Sequence, residues 1–278
     1  MFDKDAITKL TEAQSITSAA GALSAHDSTE NLTALPSDYK LHDLEQYLPC
    51  RRRARGAMTT SSASDFASYA VKHAEAGACV FVQQDEMTAV AVLNLGTPIQ
   101  PGHADNLAKL APKKTAAYTA LTNIANGAGN TQKTVAEFLE DWPGYIKCFN
   151  DGGAIEPPKA IAAIRKISIE ALRKQENTEQ QLSNTKSSFE SVQATSTEPL
   201  PTTIYFVTQP YHGLAECSFV LRLGILTGGD KPTISLRIVN KEQHAEDMAE
   251  ELAQLVVSAI SSCAVDMPVL VGSYSARG

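Results

Sequence analysis

The sequence predicts an α+β protein, with antiparallel sheets and covering helices arranged in two sheet-and-helix units. Segments that alternate apolar and polar residues, typical of half-buried strands, occur in both halves of the chain between segments of helical periodicity. Between the halves, residues 175–203 are dominated by Gln, Asn, Ser, Thr and Glu, which is typical of a linker or insertion. Strands and helices that follow one another in this way favour sheets with helices on one side.

Four segments are therefore expected along the chain. Residues 1–35 form an N-terminal arm, because Ile7 and Leu10 give only a thin apolar face and such a helix needs a partner to be stable. Residues 36–174 form an N-terminal α+β domain, and residues 175–203 the polar linker or insertion. Residues 204–278 form a C-terminal unit of β-meander, helix and returning strand.

The N-terminal domain is expected to contain four strands and three main helices. The first helix begins at Ser62, where Asp65 three residues later completes a capping box, and ends at Gly77. The next two strands flank a polar turn and form a hairpin. The expected strands are 52–60, 79–83, 88–95 and 103–110, and the expected later helices are 115–125 and 131–141.

The C-terminal unit has a register that can be derived. We expect strands at 203–208, 216–227 and 232–239, a helix capped by Asn240, and a last strand within 267–274. If Thr227 pairs with Pro232, the apolar residues of strands 216–227 and 232–239 face one another. A slip of one residue would instead turn the apolar side chains of one strand to the other side of the sheet. The resulting pairs are Ile225 with Ile234, Leu223 with Leu236, and Leu221 with Ile238.

This register places Arg222 directly opposite Arg237 on the other side of the hairpin, beside Ser235. Like charges at directly opposed positions are unfavourable, so something should compensate. A carboxylate from a helix, or simple solvation of an exposed face, is one explanation. The alternative is an anion site, in which two guanidinium groups bind a phosphate or carboxylate.

A second basic feature is the cluster Arg51, Arg52, Arg53 and Arg55, which holds four arginines in five residues. It could attract a nucleic-acid backbone or an acidic neighbouring subunit. It could equally be a solvated strand end that pairs with acidic residues just upstream. Aromatic residues do not alternate with these arginines, so the cluster itself does not indicate a platform for base stacking.

Three residues suggest a metal site as an alternative. His103 and Asp105 stand two apart on an expected strand, which would direct both side chains to one face, and His42 could be a further ligand. Such a cluster would suit a metal-dependent hydrolase. A structural hydrogen-bonded His–Asp pair explains the same residues, because the spacing is unspecific.

Composition excludes several classes of protein. A net charge of -7 makes general polyanion binding unfavourable, so any nucleic-acid affinity needs a local basic patch. Five scattered cysteines without a Cys-x-x-Cys pair indicate neither a disulfide framework nor a zinc ribbon. The longest apolar stretch of the late helix, residues 252–260, is too short to span a bilayer, and the acidic start lacks the order of a signal peptide. We therefore expect no membrane partner and a cytoplasmic location.

Several strings of residues are distinctive: LHDLEQYLPCRRRARGAM, TAVAVLNLG followed by PGHAD, TVAEFLEDW, PYHGL and LRLGILTGGDKPTISLRI. Together they resemble the YfdQ-like family of uncharacterised phage and prophage proteins, which is a domain of unknown function. The resemblance also implies a location in the bacterial cytoplasm. The resemblance runs from about residue 36 to residue 274 and implies no catalytic residues. It implies a phage context, with DNA metabolism or antagonism of host defence as themes.

These observations favour a non-enzymatic phage accessory protein that acts as a homo-oligomer without a cofactor. The thin N-terminal arm and the complementary basic and acidic segments suggest the self-association. Phosphate-bearing ligands, either nucleic acid or nucleotide, would bind through Arg222, Arg237 and Ser235 or through the arginine cluster. The alternatives are the metal-dependent hydrolase and a purely structural self-assembling protein.

Overall fold

A computed structural model describes residues 3–24, 45–150, 152–167, 200–226, 233–263 and 265–275. The chain divides into two compact units, Met1–Ala54 and Arg55–Gly278. The predicted boundaries at residues 35, 174 and 203 stay predictions, because the segments 25–44 and 168–199 lie outside the described residues.

The N-terminal unit contains one long helix, α1 (Lys4–Ser24), and a short 3₁₀ helix at Glu45–Tyr47. Ile7 and Leu10 remain more than half exposed on α1, as a thin apolar face predicts. Threonine and serine hydroxyls on this helix donate hydrogen bonds to carbonyls one turn earlier, which satisfies polar side chains within the helix itself.

The second unit contains two five-stranded sheets, five α-helices and the short 3₁₀ helix Pro143–Tyr145 among its described residues, which confirms the predicted α+β class. The first sheet is built from β1 (Gly56–Thr60), β2 (Cys79–Gln83), β3 (Thr88–Val92), β4 (Asn106–Leu110) and β10 (Val269–Val271). The second sheet is built from β5 (Ile146–Asn150), β6 (Gly153–Ile155), β7 (Thr203–Thr208), β8 (Cys217–Leu226) and β9 (Thr233–Ile238). The helices are α2 (Ala63–His73), α3 (Ala116–Ile124), α4 (Gln132–Asp141), α5 (Pro157–Arg165) and α6 (Lys241–Ser261).

The first sheet has the order β1-β4-β3-β2-β10 and is mixed. The predicted hairpin is present as the antiparallel pair β2 and β3, whereas β1 runs parallel to β4. The last strand, expected to return to the C-terminal meander, instead pairs parallel with β2. The pattern of a short apolar segment indicates a strand but not the strand with which it pairs. Sequence reasoning therefore gave β10 the wrong neighbours.

The second sheet is entirely antiparallel, in the order β6-β5-β7-β8-β9. Its strands β5 and β6 were not expected from the sequence. The inner face of this sheet is apolar and fully buried at its centre, and α4 packs against it through Phe138, which stacks on Phe206 at 5.5 Å between ring centroids. Side chains of both sheets share one continuous hydrophobic core.

Helix starts follow the expected capping chemistry with one exception, whereas α2 ends at His73 and not at Gly77, where the sequence predicted its end. Ser62 caps α2 by accepting a hydrogen bond from the Asp65 amide, and Thr115 and Thr131 cap α3 and α4 in the same way. Asn240 precedes α6 but makes no side-chain capping bond. Its backbone is left-handed, with φ of 53°, a conformation that asparagine tolerates better than most residues.

Candidate anion-binding face

The predicted register of β8 and β9 is confirmed across the described part of the hairpin. Leu221 faces Ile238, Leu223 faces Leu236, and Ile225 faces Ile234. The pairing of Thr227 with Pro232, from which this register was derived, lies outside the described residues. Arg222 therefore lies directly opposite Arg237, and both side chains are exposed.

Ser235 packs beside the two arginines under a tight steric constraint. It lies opposite Gly224, where an added Cβ would come within 2.7 Å of the Ser235 Oγ. The hydroxyl donates a long hydrogen bond of 3.4 Å to the Gly224 carbonyl on the neighbouring strand. Glycine at this position therefore makes room for the serine side chain next to the arginine pair.

The compensating carboxylate that would make the arginine pair purely structural is not found in the part of the chain that the structure describes. Salt bridges there join Lys133 to Glu137, Lys159 to Glu156 and Arg165 to Glu140, all on helices α4 and α5 or at their ends. None of these bridges between described residues reaches Arg222 or Arg237. The pair is exposed to solvent and its charges can attract an anion.

The arginines belong to a larger surface, which we call the open face. It consists of the outward side chains of β5, β7, β8 and β9, which alternate with the buried ones. These residues include three cations and no carboxylate. They are Lys147, Phe149, Thr203, Tyr205, Val207, Ser218, Val220, Arg222, Thr233, Ser235 and Arg237.

The third cation of the open face, Lys147, was missed because β5 was not predicted. It lies opposite Tyr205 of β7, and Thr203 of β7 in turn lies opposite Arg222. In the sequence, the apolar Ile146 and Cys148 alternate with Lys147 and follow Pro143-Gly144, although Phe149 interrupts the alternation. That signal was available, but five residues are too few to distinguish a strand from a loop by pattern alone.

The arginine cluster at residues 51–55 is not part of a strand, contrary to expectation. The strand β1 begins only at Gly56, a residue with φ of 125° that lies just after the arginines. Arg51 to Arg53 belong to the N-terminal unit and Arg55 to the second unit. The Arg52 amide donates to the Glu45 carboxylate at 3.2 Å, while the other predicted acidic partners, Asp38 and Asp43, lie outside the described residues.

The metal alternative receives no geometric support from the described residues. His103 and Asp105 precede β4 instead of lying on it, and the left-handed Ala104 between them, with φ of 52°, breaks the alternation that would have aligned them. The Asp105 carboxylate accepts a hydrogen bond from Asn94 at 2.9 Å. His42 lies outside the described residues, and within the described ranges no three His, Cys, Asp or Glu side chains are grouped to hold a metal.

A cysteine and a histidine that the sequence did not connect meet where β8 and α6 pack together. Cys217 Sγ lies 3.5 Å from His244 Nδ1, and the His244 ring packs on Phe219. Burial raises the pKa of the Cys217 thiol, and the carboxylates of Asp247 and Glu251 raise it further. The thiol is therefore protonated at neutral pH, which argues against a nucleophilic role.

Tyr211, which belongs to the PYHGL string, lines a cavity of about 680 Å³ together with Tyr118 and residues of α6. The two rings lie 5.8 Å apart. Burial, followed by the charges of Tyr211 and Cys217, raises the pKa of Tyr118 to about 12. His212 is exposed and does not line this cavity.

Comparison with known proteins gives the family. The family model described as an uncharacterized conserved protein, DUF2303, matches residues 4–274, nearly the whole chain. The chain belongs to the DUF2303 family. No curated protein and no solved structure gives a significant match to this DUF2303 chain. Within its described residues, no helix is both long and apolar enough to cross a membrane.

Proposed function

We propose that this DUF2303 protein is a non-enzymatic accessory protein that binds phosphate-bearing ligands on the open face. The observation that carries the proposal is the direct opposition of Arg222 and Arg237 at exposed positions, with no carboxylate beside them among the described residues. Guanidinium groups match phosphate oxygens in a two-pronged geometry and stay charged at any physiological pH. A phosphate between them would replace the repulsion by two attractions.

The local charge of the open face supports the proposal in spite of the acidic chain. The protein carries a formal charge of -7, so distant polyanions are repelled on average. Short-range contacts to three cations can still dominate, because charges separated by more than about 8 Å are largely screened at physiological ionic strength. The long-range attraction of a polyanion to the protein is therefore expected to be weak, whereas direct contacts between phosphates and the three cations are strong. The affinity should fall as the salt concentration rises.

The biological setting is a second part of the proposal. The resemblance of the strings quoted above to YfdQ-like proteins supports a phage or prophage origin and a bacterial cytoplasmic location. We further propose that the protein works as a homo-oligomer, since the α1 helix leaves Ile7 and Leu10 exposed and two equal copies could cover such residues symmetrically. Light scattering at micromolar concentration tests this part, and a clean monomer would end it.

The ligand proposal is tested with inorganic polyphosphate, which carries phosphates but no bases. We expect wild-type protein to bind it with an affinity that falls as salt rises, and the Arg222→Gln/Arg237→Gln double variant to lose most of that affinity. The matched control is Lys133→Gln/Lys159→Gln, which removes two exposed cations from helices α4 and α5. If both double variants bind polyphosphate as the wild type does, the phosphate site is not on the open face.

A further inference from the structure

The open face carries two aromatic side chains next to its cations. Phe149 of β5 and Tyr205 of β7 form an edge-to-face pair, with ring centroids 5.3 Å apart and ring planes at 75°. Tyr205 is 37% exposed, and Phe149 is half-buried. In an edge-to-face pair, one ring keeps both of its faces uncovered by the other ring. A ring face of this kind is the surface on which a planar ligand stacks.

These rings lie in a depression of about 380 Å³ on the open face. That volume is within the range of pockets for small organic ligands and suits a nucleobase with its sugar. The depression is lined by Lys147, Phe149, Asn150, Thr202, Thr203, Tyr205, Val207 and Ser218. It thus combines two rings, one valine, one cation and several short polar side chains.

The polar side chains of the depression can recognise the edge of a base. Asn150 Oδ1 accepts a hydrogen bond from the Gly152 amide, so the side chain's NH₂ group remains to donate to a ligand. Ser218 is exposed and contributes a hydroxyl on the other side of Tyr205. Neither group discriminates strongly between bases, so stacking should dominate and sequence preference should be small.

The cations continue in a row from this depression across the sheet. Phe149, Thr203, Arg222 and Arg237 are paired with one another in successive strands β5, β7, β8 and β9. Neighbouring strands are about 4.8 Å apart, so this row spans about 14 Å. A chain with a base in the depression can thus reach the arginines with its backbone phosphates.

We propose that the open face binds single-stranded nucleic acid, with a base stacked on Phe149 or Tyr205 and phosphates on Lys147, Arg222 and Arg237. The inference rests on the proposed function, because it assigns the phosphates of that proposal to a polynucleotide. Single strands are favoured over duplexes because only unpaired bases offer a free ring face. The absence of carboxylates among the described strand residues of the face fits a polyanion partner.

The test measures fluorescence anisotropy of a labelled oligothymidylate on the full chain, with polyphosphate as the probe that lacks bases. We expect Tyr205→Leu and Phe149→Leu to raise the dissociation constant for the oligonucleotide on the order of 5- to 150-fold and to leave polyphosphate binding unchanged. Tyr47→Leu is the matched control, since Tyr47 is also exposed and lies in the N-terminal unit. A duplex of equal length should bind more weakly than the single strand.

The two proposals fail in different ways. If the aromatic variants bind the oligonucleotide as the wild type does, while Arg222→Gln/Arg237→Gln loses both probes, stacking is overturned and phosphate binding stands. If the arginine variant keeps both probes and the aromatic variants lose the oligonucleotide, the phosphate contacts of both proposals are overturned and only base stacking on the open face stands. Equal affinity for the duplex, or a Tyr205→Leu variant that changes only the oligomeric state in light scattering, overturns the single-strand inference. The latter result would identify the face as a contact between copies. For each variant, a wild-type circular dichroism spectrum and a cooperative urea transition exclude loss of folding as the cause.

Discussion

Reversal of one charge in the arginine pair should stabilise the protein while it abolishes ligand binding. Arg222 and Arg237 are directly opposed across β8 and β9, where like charges are unfavourable and opposite charges favourable, each by about 0.2–1 kcal/mol. Arg237→Glu removes the unfavourable interaction between two like charges and adds a favourable interaction between opposite charges. Its free energy of unfolding should therefore rise by about 0.4–2 kcal/mol, towards the lower end because both side chains are exposed.

Urea unfolding at low and high salt measures this effect, and related variants isolate its cause. Arg237→Gln removes the repulsion without adding a partner, so it should give about half the gain, or about 0.2–1 kcal/mol. Arg222→Glu/Arg237→Glu restores like charges and should return the stability close to that of the wild type. At about 1 M salt the Debye length is about 3 Å, so the difference between Arg237→Glu and Arg237→Gln should shrink.

The reasoning fails on a specific result. If Arg237→Glu is no more stable than Arg237→Gln at low salt, then the two guanidinium positions do not interact in the folded protein. An effect that persists unchanged at high salt would also contradict an electrostatic origin. In either case the two arginines do not repel one another measurably, and the argument for an anion between them fails.

Three further predictions concern the stability of the second unit. Gly96→Ala should destabilise the protein far more than Gly127→Ala in urea unfolding. Both backbones are left-handed, but only at Gly96 would an added Cβ meet backbone atoms, the nearest of them at 2.2 Å. Equal losses of stability in the two variants would contradict this. Leu236→Ala should cost about 2–5 kcal/mol, because its side chain is fully buried, whereas Ser235→Ala next to it should change the urea midpoint little; a small loss at Leu236 would refute the packing. Tyr118 should stay protonated in the folded state at pH values between its ordinary pKa of 10 and its raised pKa of about 12, so the free energy of unfolding should fall as pH rises through that range. Tyr118→Phe should make this fall, measured by urea unfolding, less steep. An unchanged pH dependence would contradict the pKa shift.

The hairpin β8–β9 was predictable to the residue because its apolar side chains impose one register. Leu221, Leu223 and Ile225 alternate without interruption, and only one alignment buries them all against β9. The arginine pair followed from the same alignment without any information about distant contacts. A site that depends only on neighbouring strands joined by a short turn is accessible to sequence reasoning.

The aromatic half of the open face was not accessible in this way. Phe149 of β5 and Tyr205 of β7 are 56 positions apart, and the segment 168–199 between them lies outside the described residues. Pairing across such a separation depends on the whole sheet and not on local pattern. For the same reason the sequence could not show that β10 leaves the meander and joins the first sheet.

The two faces of the second sheet contribute differently to stability and to binding. Phe206, Leu221 and Leu236 on the inner face are fully buried, and burial of such side chains stabilises a fold by about 1.5–3 kcal/mol each. The outer face instead exposes Arg222 and Arg237, which repel one another and add little to the core. Substitutions on the outer face should therefore change ligand affinity without lowering stability, whereas substitutions on the inner face should lower both. A variant of the open face that loses binding while its urea midpoint is no lower than that of the wild type can thus be explained only by the contacts of that face.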